Sequence, residues 1–141
     1  MAQDKVHEIH IFHSYDDFYI SFIAPHSCEH DLNYGPIIVN DSVCLEKIIS
    51  LLGSNIRYID PKVIDVRFRV EFLYSEKKET LCFYDDSLPM IYKGESFMYN
   101  NELCSLIIDI IEKTGFKKPK NPYVPPPPQY QGTCILSENY K

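Results

Sequence analysis

Tryptophan is absent from this 141-residue sequence, and nowhere do about eighteen apolar residues follow one another. The second absence argues against a membrane-spanning helix. The opening MAQDKVHEIHIFHSY lacks a basic start followed by an apolar block, so it does not read as a secretory signal. No CxxC pair occurs among Cys28, Cys44, Cys82, Cys104 and Cys134. Scattered and odd in number, they read as reduced thiols of a cytoplasmic protein, with Cys44 and Cys104 as small apolar core residues. Also missing are GxSxG, a P-loop, GxGxxG, HExxH and any repeat at a fixed period. The signatures that place a nucleophile, cradle a phosphate or hold a zinc are therefore lacking. The chain reads as a non-enzyme that needs no cofactor and no metal.

What is present suffices for one folded domain. Hydrophobic residues make up 45% of the chain, and eleven tyrosines and eight phenylalanines supply its aromatic content. Tyrosine suits both core edges and interfaces, because its ring buries while its hydroxyl finds a partner. The formal charge of −6 is unevenly placed: residues 1–60 carry nine acids against Lys5, Lys47 and Arg57, whereas the rest of the chain balances. An acidic half disfavours phosphate contacts and steers a basic partner. Neither nucleic acid nor a membrane is expected as a partner.

The periodicity predicts strands, helix, strands, helix and tail. VHEIHIFH, 6–13, alternates with His7, Ile9, Ile11 and His13 on one face, and FYISFIA, 18–24, offers it a hairpin partner. PHSCEHDLNYGP, 25–36, then reads as a long loop, with a brief strand at 37–39. Leu45, Ile48, Ile49 and Leu52 mark a helix over 42–52, capped by Asn40 or Asp41 and stopped by Gly53. IDVRFRVEFLY, 64–74, keeps period two over almost its whole length, which gives one buried and one wet face. SEKK reverses it into ETLCFY, and Lys93-Gly94 centres a second tight turn. A second helix over 101–113 shows Leu103, Ile107, Ile110 and Ile111, with Lys113 at its negative end and Gly115 as left-handed cap. Two amphipathic helices need an apolar sheet face to cover. The expected fold is therefore an α+β two-layer sandwich, with a mainly antiparallel sheet of about five or six strands. Residues 1–116 form the domain, and 117–141 a proline-rich tail strapped onto it by Tyr123, Val124, Tyr130, Ile135 and Leu136.

Candidate sites are few. His26, Cys28 and His30, with Asp31, are metal-capable residue types, or a thiol beside a base, but no second ligand pair or orienting group accompanies them. Asp16-Asp17 and Asp85-Asp86 read as turn acids. Arg67, Arg69, Lys77 and Lys78 alternate with Asp65 and Glu71, a pattern that suits a salt-bridged surface better than a nucleic-acid face. In the tail, Pro127-Pro128-Gln129-Tyr130 fits the PPxY pattern of WW-domain ligands, which makes an adaptor a second reading.

The run IIVNDSVCLEKIISLLGS, then IDVRFRVEFLYSEKKETLCFYDDSLPMIYKGESFMYNNELCSLIIDIIEK, resembles small bacterial α+β proteins. Several of these are immunity proteins against contact-delivered or polymorphic toxins. An amphipathic helix precedes a charged hairpin, then a turn of the form YKGESF and a closing helix, over roughly residues 37–113. The resemblance implies a scaffold without catalytic groups that binds a cognate toxin, often a basic nuclease. Tyr15, Asp16, Asp17, Tyr19, Glu29, Asp31 and Tyr34 suit such a role, the acids steering and the tyrosines anchoring.

Overall fold

The computed structural model describes residues 5–13, 34–53, 68–83, 90–115 and 130–134. Its elements are β1 (Glu8–His13), β2 (Tyr34–Val39), α1 (Ser42–Leu52), β3 (Phe68–Leu73), β4 (Lys78–Phe83), β5 (Met90–Tyr92), β6 (Glu95–Phe97), α2 (Asn101–Lys113) and β7 (Tyr130–Gln131). The strands form one sheet in the order β6-β5-β4-β3-β1-β2-β7. Every neighbouring pair is antiparallel except β2 and β7, which run parallel. With both helices on one face, the chain is the α+β sandwich that its periodicity predicts.

Alternation decides which face is covered. Ile9 and Ile11 of β1, Ile37 and Val39 of β2, Val70 and Phe72 of β3, and Leu81 and Phe83 of β4 point to the same side and are buried. They join Cys44 and Ile48 of α1 and Leu103, Cys104, Ile107, Ile110 and Ile111 of α2 in one cluster. The opposite face was expected to be wet, and here the structure differs. Arg69 and Glu71 keep only 14% and 13% of their side-chain exposure and pair at 3.3 Å. The Arg69 guanidinium also lies over the Phe12 ring, 4.4 Å from its centroid. Cys82 and Ile91 on that face are buried too. Residues 64–67 of the expected long strand lie outside the described residues.

Local chemistry sets both helix ends. The Asp41 carboxylate accepts from the Cys44 N–H at 3.0 Å, and Asn100 Oδ1 accepts from Leu103 N–H at 3.1 Å. Asn100 Nδ2 donates to the Leu51 carbonyl at 3.0 Å, which ties the start of α2 to the end of α1. Past α2, Gly115 takes φ 77°, the left-handed conformation expected of it. The stripe of α1 is rotated from the expected one: Cys44 and Ile48 are buried, whereas Ile49 is 37% exposed. Between β5 and β6, Lys93 and Gly94 both take positive φ, 55° and 76°, as a tight hairpin turn demands.

Two pairings depart from expectation. Both edges of β1 are occupied, by β2 and by β3, so no edge remains for the hairpin partner expected at 18–24, a segment outside the described residues. The strand expected at 37–39 begins earlier, at Tyr34, so the last three residues of the expected loop belong to the sheet. A bulge opposite Phe12 accommodates Gly35, which has a φ of 125° and where a Cβ would lie 2.7 Å from the Ile11 carbonyl oxygen.

Beyond β2, Ile37 faces Tyr130 and Ile38 faces Gln131, and the Gly132 N–H donates to the Ile38 carbonyl at 2.8 Å. Cys134 is disulfide-bonded to Cys44, 90 residues away, and Cys82 is disulfide-bonded as well. The reading of the cysteines as reduced thiols is thus corrected for these three. Nothing in their spacing signals the pairing, because folding alone brings Cys44 and Cys134 together. The cytoplasmic expectation, which leaned on reduced thiols, loses that support. Cys104 is a free buried thiol, as expected of a core residue.

Candidate functional site

The acidic segment is best understood through its two anchorages. β1 leaves the sheet at His13, and β2 enters it at Tyr34 directly opposite. The twenty intervening residues carry Asp16, Asp17, Glu29 and Asp31 and neither lysine nor arginine. Tyr15, Asp16, Asp17, Tyr19, Glu29 and Asp31 lie outside the described residues. So do His26, Cys28 and His30. Tyr34 is placed by its backbone as the first residue of β2.

The sheet next to His13 is apolar. His13 is fully buried, in register with Phe68, and Phe68 stacks on Phe83 with ring centroids 4.8 Å apart. Burial lowers the His13 pKa to about 4, since a charged imidazolium would lose its hydration there. The inward face expected for Ile9, Ile11 and His13 is the one observed. His10 points the other way and pairs with Glu8 at 2.8 Å.

A second constellation was not found by sequence reasoning. Glu79 sits at an inward register position, opposite Phe72, with its side chain 10% exposed. The Tyr74 and Tyr92 hydroxyls donate to its Oε1 at 2.7 and 3.0 Å. Lys93 and Lys77 approach its Oε2 at 3.1 and 3.8 Å. Burial disfavours its ionisation, yet the hydrogen bonds from Tyr74, Lys93 and Tyr92, with the Lys93 charge, outweigh that and hold its pKa below the ordinary value. Burial first, and then the Glu79 carboxylate, push the Tyr92 phenol upward. Both carboxylate oxygens are taken, so the cluster fastens the hairpin ends instead of presenting a base. The available signal was Glu79 itself, an acid alternating in step with Leu81 and Phe83.

Beside Tyr74 lies a groove of about 460 Å³, lined by Lys5, Val6, Leu45, Glu46, Ile49 and Tyr74. The described cations of the hairpin are engaged by acids: Arg69 and Lys78 pair with Glu71, and Lys77 with Glu79, while Arg67 lies outside the described residues. Among the described residues, no group of three or more His, Cys, Asp or Glu side chains is placed to hold a metal ion. No described helix is long and apolar enough to cross a membrane. In the tail motif, Pro127 and Pro128 lie outside the described residues, and the Tyr130 backbone is part of β7.

The chain matches no known protein-family model, no curated protein and no solved structure.

Proposed function

We propose that this protein is a non-enzymatic binding module of the immunity type, which captures and neutralises a basic toxin domain through the acidic, tyrosine-bearing segment between β1 and β2. The observation that carries this reading is the mount. The segment that carries these four acids, with neither lysine nor arginine among them, leaves and rejoins the sheet at one facing residue pair, His13 and Tyr34. Four negative charges within twenty residues, tethered at both ends to that pair, favour electrostatic steering of a basic partner. Tyr15, Tyr19 and Tyr34 add rings of the kind that anchor interfaces once water is expelled. Because Tyr130 is engaged in β7, the tail motif is less suited to serve as a freely presented PPxY ligand.

The test is protection. Cells expressing a toxin gene neighbouring that of this protein should grow when the wild-type chain is co-expressed. They should fail to grow with a variant in which Asp16, Asp17 and Asp31 become Asn and Glu29 becomes Gln. Full protection by that variant would remove the assigned surface, and the absence of any protected toxin would remove the immunity reading.

A further inference from the structure

We infer that Cys82 is bonded to Cys28, which pins the acidic segment between β1 and β2 to the sheet face turned away from the helices. The partner follows by elimination. The sequence holds five cysteines; Cys82 is disulfide-bonded, Cys44 and Cys134 are bonded to each other, and Cys104 is free, which leaves Cys28. Burial supports the pin. Cys82 and its register partner Ile91 keep 0% and 1% of their exposure, although both described helices lie on the other face. Chain carried onto that face by the bond accounts for burial that the helices do not give.

The register brings Cys82 within reach of Cys28. Cys82 faces Arg69 on β3, and Arg69 faces Phe12 on β1, one residue from the pair His13 and Tyr34. Because β4, β3, β1 and β2 are successive neighbours, Cys82 lies three strands from Tyr34, roughly 14 Å at about 4.8 Å per strand. Cys28 precedes Tyr34 by six residues, which span up to about 20 Å when extended. The fifteen residues from His13 to Cys28 have only two strands to cross.

The pin divides the segment on which the proposed capture rests. Tyr15, Asp16, Asp17 and Tyr19 fall on the fifteen-residue arm, and Glu29 and Asp31 on the six-residue arm, next to the bond. A cross-link there restricts the segment before any partner arrives, which lowers the ordering entropy lost on capture. The bond forms by exchange with an external disulfide: the thiols of Cys28 and Cys82 give up two electrons and two protons, and the disulfide leaves as two thiols.

Peptide mapping of the purified full chain tests the bond without any partner, so it can fail while the capture reading stands, and the reverse. Free thiols are alkylated, the chain is cleaved without reduction, and linked peptides are identified by mass. A peptide containing Cys28 should be joined to one containing Cys82 and part from it on reduction, in a chain that runs as a monomer on a non-reducing gel. Cys28 found alkylated, or Cys82 joined to a second copy of the chain, overturns the inference. Hydrogen exchange then tests the pin, using Cys28→Ser, which leaves the buried Cys82 sulfur in place. Amides of residues 26–33 should exchange on the order of 10-fold faster in the variant than in the wild type, while those of β3 stay protected. Equal exchange in the two proteins overturns the pin. Loss of β3 protection overturns it too, since the bond would then be holding the whole sheet.

Discussion

Single residues carry the sharpest consequences. His13 is buried neutral, with its pKa lowered from the ordinary 6.5 to about 4. Between those values the unfolded chain binds a proton that the folded chain refuses, so stability falls as pH drops through that window and is unaffected above it. A shift of that size corresponds to on the order of 3 kcal/mol at most. Glu79 adds to the same trend, because a carboxylate held below its ordinary pKa loses its stabilising contribution on acidification. Urea titrations at pH 7.5 and pH 5 should show the loss, and His13→Leu should flatten it. At Gly132, a methyl group would meet Ile37, Ile110 and Val39 at 2.6, 2.9 and 3.2 Å. Gly132→Ala should therefore cost about 1–3 kcal/mol, read as a lower Tm, as overpacking of a tight site does.

At the scale of elements, caps and periodicity explain what forms. Asn100 serves two elements at once, accepting from Leu103 and donating to Leu51. Asn100→Ala should cost about 1–2 kcal/mol in denaturant titrations, one part for the cap and one for the interhelix bond. Both helices, the alternation of β3 and the Lys93-Gly94 turn were legible in the sequence because local chemistry decides them. Period, cap and turn residue lie within a few positions of one another. The partner of β1 was not legible. Its pairing with β3 joins segments some sixty residues apart, and hydrophobic alternation states which face is inward without naming the neighbour. The early start of β2 was hidden by Gly35 and Pro36, turn-formers that here sit in a bulge.

For the molecule as a whole, the informative quantities are long-range. The Cys44–Cys134 bond closes a loop of 90 residues, and loop-closure entropy assigns such a link about 4–5 kcal/mol. Cysteine spacing gave no hint of it, since only the docking of residues 130–134 beside β2 brings the two sulfurs together. The proposed site rests on composition alone: the acids of 15–34 stand out in a charge count of the sequence, and tyrosines lie among them. That the segment's two ends meet at the facing pair His13 and Tyr34 required the fold. The Glu79 cluster required the fold too, because Tyr74, Lys77, Tyr92 and Lys93 come from two separate hairpins.

The most direct test of this account is the association rate of the chain with the basic toxin partner proposed for it, as a function of salt. Steering by the segment between His13 and Tyr34 predicts that the rate constant falls steeply as ionic strength rises. It also predicts that neutralising Asp16, Asp17, Glu29 and Asp31 flattens this dependence while leaving the fold intact. A rate indifferent to salt, or one that the four substitutions do not change, would contradict it.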